Sequence, residues 1–190
     1  MEQTEGALVA KARAGEADAF RALVERHGQR LFRLAYRMTG NQQDAEDVVQ
    51  DSFLRAFRRL DQFDGRASFG TWLYRIAANC SSDLLSSRVA RFEQGSIDGQ
   101  IGDAVLAIPS RGPSPERSAA SSQIRDRVAD AMNELSPAER TAFVLRHFEG
   151  MQTEEIGRVL GSCSNAAKHS VFRAVQKLRK ALEPLAKSAK

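Results

Sequence analysis

The sequence predicts an all-α protein made of two small helical domains joined by a flexible linker, and three observations lead there. Apolar residues recur at three- and four-residue steps in one segment after another, the spacing that lines up one face of a helix. Residues with capping chemistry punctuate those segments. Between residues 95 and 122 the periodicity dissolves into glycine, proline and serine, the composition of a connection rather than of a packed element. The predicted domains are therefore residues 1–94 and 123–190, with 95–122 as the linker.

Taken in order, residues 7–14 read as a short helix that stops or bends at Gly15. Phe20, Leu23, Val24, His27, Leu31, Leu34, Ala35 and Met38 then form the apolar stripe of an amphipathic helix ending near Gly40. Arg21, Arg26, Arg30, Arg33 and Arg37 lie between them, as suits either a solvated face or a nucleic-acid contact. Asn41-Gln42-Gln43-Asp44 supplies cap-type residues for a third helix. Its buried stripe is Ala45, Val48, Val49, Phe53, Ala56, Phe57 and Leu60. Asp44, Glu46, Asp47 and Asp51 precede Arg55, Arg58 and Arg59, a polarity that complementing the helix macrodipole explains on its own.

The stretch from Phe69 to Leu84 is the centre of the N-terminal domain. Phe69, Leu73, Ile76, Ala77, Cys80 and Leu84 share one stripe. The other side carries Trp72, Tyr74, Arg75, Asn79 and Ser82, with Arg88 and Arg91 following. Aromatic rings stack on unpaired bases, arginine holds phosphates and asparagine reads base edges, so this face suits single-stranded nucleic acid. A core helix with half-buried aromatic residues is the plain alternative.

Residues 95–122 contain Ile97, Ile101, Val105, Leu106 and Ile108, which could also form a short docking helix. Beyond them Ile124, Val128, Ala131, Met132 and Leu135 should pack against a helix opened by the capping box Ser136-Pro137-Ala138-Glu139 and stopped at Gly150. A short helix from Thr153 to Leu160, with Ile156 and Leu160 inward, meets a tight turn at Gly161-Ser162-Cys163-Ser164. A longer helix starts near Asn165, with Ala167, Val171, Ala174, Val175, Leu178 and Leu182 on its core face. This is a helix-turn-helix, with the small Gly157 where its helices must approach. Asn165, His169, Phe172, Arg173 and Gln176 face outward, flanked by Lys168 and Arg179. A recognition helix meets base edges with its N-terminal residues, which makes Asn165, Lys168, His169 and Arg173 the candidate readers of DNA. An ordinary helical hairpin with a solvated basic face is the competing account.

Composition narrows the class. The chain has 190 residues, 42% hydrophobic and 27% charged, enough to bury a core. Its formal charge of +4 divides as +1 over residues 1–94, −1 over 95–122 and +4 over 123–190, and residues 164–190 hold seven basic residues against Glu183. A local basic patch suits a polyanion. Cys80 and Cys163 are far apart, and His27, His147 and His169 form no ligand set, so neither a disulfide, a metal nor a cofactor is expected. The acidic N-terminus and the lack of a long apolar run predict neither signal peptide nor membrane insertion, hence a cytoplasmic protein. No phosphate loop, paired nucleophile and base, or ligand cluster points to an enzyme.

Three runs carry a family likeness. Asp61-Gln62-Phe63-Asp64-Gly65-Arg66-Ala67-Ser68 leading into Phe69-Gly70-Thr71-Trp72-Leu73-Tyr74-Arg75-Ile76-Ala77-Ala78-Asn79 closely resembles promoter-melting region 2 of the extracytoplasmic-function (ECF) sigma factors. Asp44-Ala45-Glu46-Asp47-Val48-Val49-Gln50-Asp51-Ser52-Phe53-Leu54-Arg55-Ala56-Phe57 resembles region 2.2, the helix that docks on the clamp of the RNA polymerase β′ subunit. The helix-turn-helix resembles region 4, with Asn165-Ala166-Ala167-Lys168-His169-Ser170 where many members carry Gly-Thr-Val-Arg-Ser-Arg, so that Ser170 replaces one arginine. The likeness covers residues 7–91 and 123–182.

The resemblance implies a sigma factor that binds core polymerase through its β and β′ subunits and reads promoter DNA. It assigns core docking to Asp44, Glu46, Asp47, Gln50, Asp51 and Arg55. Capture and melting at the minus-10 element fall to Asp64, Gly65, Arg66, Ser68, Trp72, Tyr74, Arg75 and Asn79. Minus-35 binding falls to Asn165, Lys168, His169, Ser170, Arg173 and Lys177. The linker would thread the polymerase toward the RNA exit path, and an anti-sigma factor, often membrane-anchored in this family, would restrain the protein. Two other classes stay open: a stand-alone helix-turn-helix repressor, and a sigma mimic that binds only an anti-sigma factor.

Overall fold

A computed structural model describes residues 4–93, 124 and 127–188. Those residues form α1 (Glu5–Arg13), α2 (Ala17–Thr39), α3 (Gln42–Arg58), a short 3-10 turn (Leu60–Gln62), α4 (Phe69–Glu93), α5 (residues 127–133), α6 (Pro137–His147), α7 (Thr153–Leu160) and α8 (Ser164–Ser188). The predicted linker 95–122, with its candidate docking helix, lies outside the described residues. No described helix is long and apolar enough to cross a membrane.

The punctuation acts as its chemistry requires. Gly40 closes α2 with φ 82, a left-handed conformation that glycine adopts without a Cβ penalty. The Asn41 side chain accepts from the Asp44 amide at 2.8 Å and caps α3. Ser136 and Glu139 complete a reciprocal capping box on α6. Ser68 Oγ accepts from the Thr71 amide at 3.1 Å where α4 begins.

Helices α2, α3 and α4 pack around Leu23, Leu31, Leu34, Met38, Val48, Phe69 and Leu73, all fully or almost fully buried. Helices α6, α7 and α8 pack around Val144, Leu145, Ile156 and Ala167. The two modules also touch directly: α4 lies against α7 and α2 against α6, and buried residues from both belong to one continuous core. A second, smaller cluster, Ala131, Leu135, Ala174 and Leu178, joins α5 to α8.

Several side chains depart from the sequence pattern. Phe57, placed in the α3 stripe, is 57% exposed, because it sits at the rim of a groove that no other described helix fills. Ile124 is exposed rather than packed, and Val159, not Leu160, is the buried partner of Ile156 in α7.

Candidate promoter and polymerase interfaces

The first surface is an apolar groove between α2 and α3. Phe20, Val24, Phe32, Val49, Phe53, Leu54 and Phe57 line it, with Glu46 and Gln50 at its edge, around a volume of about 560 Å³. Phe20 holds Phe57 edge-on at 5.0 Å between ring centroids, which keeps the exposed ring in place. Of the residues expected to dock on polymerase, Glu46 and Gln50 border this groove and Asp47 is exposed on the same helix. Asp51 and Arg55 pair with each other at 2.8 Å, and Arg55 also reaches Asp83 of α4 at 3.3 Å. Asp44 stands apart from the groove. It is buried, paired with Arg88 of α4 and held by the side chain of Asn41, so its carboxylate ties the start of α3 to α4.

A second site gathers around the start of α4. Phe63, Phe69 and Trp72 form an aromatic cluster with centroid separations of 5.3 to 5.9 Å. Beside it, Asp64, Arg66, Trp72 and Arg75 line one cavity of about 420 Å³. Gly65 has φ 73, and the Asp64 carboxylate accepts from the Arg66 amide at 3.0 Å, so this loop is a tight turn that holds both charges at the cavity mouth. Asn79 is exposed one turn beyond Arg75, and Ser68 caps the helix.

Tyr74 does not join that face. It is 8% exposed, and its hydroxyl donates to Glu149 Oε2 at 3.1 Å. Burial, reinforced by the negative Glu149, raises its phenol above the usual tyrosine range. The reason is that α4 is covered on two sides, by α2 and α3 and again by α7. Glu149 also accepts from Arg37 at 3.0 Å, and the Arg37 guanidinium lies 4.4 Å over the Phe148 ring. Nearby, the buried Arg140 donates to the Met38 carbonyl at 2.8 Å. These contacts join the two modules, and Gly157, Arg158, Gly161 and Ser162 of the helix-turn-helix complete the wall of the cavity. Sequence reasoning missed Arg37, Arg140 and Glu149, since nothing local marks a contact between segments about a hundred residues apart.

The third surface is the exposed side of α8. Asn165, Lys168, His169, Phe172, Arg173 and Lys177 are exposed, Phe172 prominently so. Ser170 is buried, because it stands three residues after Ala167 and four before Ala174 on the core stripe. Arg173 Nε and Lys177 Nζ reach the Glu139 carboxylate at 3.2 and 2.7 Å. A Cβ on Gly157 would come within 2.9 Å of the Ser162 carbonyl, so the turn requires glycine there.

Comparison with known proteins agrees with this architecture. Residues 23–91 match the model of sigma-70 region 2 and residues 125–178 that of sigma-70 region 4. The RNA polymerase sigma-H factor of Pseudomonas aeruginosa is 33% identical, over 96% of this chain and 95% of its own. The ECF sigma factor SigW of Bacillus subtilis is 30% identical, over 93% and 96%. The solved structure of CnrH in complex with the cytosolic domain of CnrY superposes with a TM-score of 0.67 at 30% identity, covering 96% of this chain and 99% of that one. The chain thus belongs to the sigma-70 family, in its extracytoplasmic-function group. Its function is that of an RNA polymerase sigma factor, and its partners are the polymerase core and promoter DNA.

Proposed function

We propose that the three surfaces divide the work of initiation, and that the packed arrangement is a resting form that opens to work. The groove of Phe20, Val49, Leu54 and Phe57, rimmed by Glu46 and Gln50, takes an apolar ridge of the polymerase core; Asp47, Asp51 and Arg55 flank it. The loop and α4 face of Asp64, Arg66, Trp72, Arg75 and Asn79 receive the melted minus-10 strand, with Trp72 as stacking platform and the arginines on phosphates. Asn165, Lys168, His169, Phe172 and Arg173 enter the major groove at the minus-35 element. The observation that carries the minus-10 assignment is that Asp64, Arg66, Trp72 and Arg75 converge on one wall of a single cavity, the wall that stays with α4 when the modules separate.

Distance requires the opening. Elements about 25 base pairs apart are separated by about 85 Å of duplex at 3.4 Å per step. In the packed form the Arg75 guanidinium lies against Gly161 of the helix-turn-helix. The 28 residues 95–122 can extend to at most about 100 Å, which permits the separation. An anti-sigma factor is a further partner on this reading: the Bartonella quintana RpoE structure is a complex with the anti-sigma factor NepR, and the CnrH structure a complex with the cytosolic domain of CnrY. Cytoplasmic action without an enzymatic step follows from the same reading.

The test is permanganate footprinting of open complexes on a linear promoter with reconstituted holoenzyme. Asn79→Ala and Arg75→Ala should reduce thymine reactivity at the minus-10 element while leaving binding to core unchanged. Unchanged reactivity in both variants would refute the assignment.

A further inference from the structure

The Glu139 carboxylate is met by a backbone amide and two cations, and capping accounts for only part of this. Its side chain is 6% exposed. Oε2 accepts from the Ser136 amide at 3.0 Å, closing the capping box. The same oxygen receives Lys177 Nζ at 2.7 Å, and Oε1 receives Arg173 Nε at 3.2 Å. Burial alone would favour the neutral acid, but the bonds from Lys177 and Ser136 outweigh it and hold the carboxyl below its ordinary range. It is therefore an anion at neutral pH, buried at the N-terminus of α6 and aimed at α8.

Arg173 and Lys177 are four residues apart, hence on one face of α8. The atom of Arg173 engaged by Glu139 is Nε, the one nearest the stem, while the side chain remains 61% exposed. A carboxylate that pairs with the guanidinium on its Nε side leaves both Nη groups for an outside acceptor, the fork that meets guanine O6 and N7 or a phosphate. One carboxylate also offsets two cations on this face, which lowers its attraction for any phosphate regardless of sequence.

We propose that Glu139 is a positioning residue for minus-35 recognition: it orients the Arg173 guanidinium toward base edges and trims the non-specific charge of the recognition helix. This rests on the sigma-factor reading, with Arg173 at the DNA. Ordering one long side chain before contact saves about 0.5 to 1.5 kcal/mol, or about 2- to 12-fold in affinity for the correct site.

The experiment measures holoenzyme binding to a promoter fragment identified by run-off transcription, and to the same fragment with a scrambled minus-35 element, over a salt series. Glu139→Gln keeps the capping acceptor and the side-chain shape but removes the charge. The expected result is a 2- to 12-fold fall in the ratio of specific to scrambled affinity, tighter binding to the scrambled fragment, and a log–log salt slope steeper by about one. In an Arg173→Ala background the same change should leave the ratio where Arg173→Ala alone puts it. An unchanged ratio, an equal loss on both fragments, or a full further loss in the Arg173→Ala background would overturn the proposal. If Arg173→Ala itself leaves wild-type discrimination intact, the reading of α8 as the minus-35 surface fails as well; if Arg173→Ala abolishes discrimination and Glu139→Gln does not lower it, only the role of Glu139 fails.

Discussion

Replacing Glu149 with alanine should open the molecule. Its carboxylate bonds both α2, through Arg37 at 3.0 Å, and α4, through the Tyr74 hydroxyl at 3.1 Å. The Glu149 side chain is 8% exposed and that of Arg37 22%, so the pair is largely out of water and the low value of a surface salt bridge does not apply. Cutting one partner of a fully buried pair costs about 3 to 5 kcal/mol. Here Arg37 is already 22% exposed and, in the closed variant, keeps its place over Phe148, so about 2 kcal/mol of the closing free energy should be lost. That is roughly a thirtyfold fall in the ratio of closed to open molecules. A compact chain of this length has a radius of gyration of about 16 Å, and small-angle scattering should show Glu149→Ala expanded beyond wild type, with Tyr74 moved into water by ultraviolet difference absorbance. Glu149→Gln, which still offers an acceptor, should open less. If Glu149→Ala keeps the wild-type radius and a buried Tyr74, the contact does not hold the modules together.

Three further outcomes follow from the same geometry. Because the phenol of Tyr74 is raised from an ordinary value of 10.0 when packed, the packed form binds a proton that the open form releases; closure should be full below about pH 10 and be lost as pH climbs above it, an effect that Tyr74→Phe should abolish. Gly157→Ala should lower the melting temperature of the C-terminal module, since the clash with the Ser162 backbone costs about 1 to 3 kcal/mol, more than the helix propensity of alanine returns. Cys163 is exposed, whereas burial pushes the Cys80 thiol up to about 11. A thiol reagent should therefore modify one cysteine in the native protein and both only after denaturation.

The helices were legible because each carries its own signals. The three-four spacing of Leu23, Leu31 and Leu34, the Asn41 and Ser136 caps and the glycines after α2 and α7 all act locally, and the structure uses each of them. The burial of Ser170 was readable, since its offsets from Ala167 and Ala174 already place it on the core stripe. That of Asp44 was not, because its partner Arg88 stands 44 residues further along the chain. Tyr74 and Phe57 were not readable in this way. Which side of an amphipathic helix meets a second module, and which apolar side chain is left at an open groove, depends on packing between distant segments, and no short-range pattern encodes that. The pairing of Arg37 with Glu149 and of Arg173 with Glu139 belongs to the same class.

The central claim is tested most directly by run-off transcription from a pool of genomic fragments, using sigma-free core polymerase with and without this chain. The account predicts discrete new start sites that depend on the chain, each preceded by the same pair of elements about 25 base pairs apart. Co-elution with core in the absence of any new transcript, for wild type and for the opened Glu149→Ala variant alike, would contradict it.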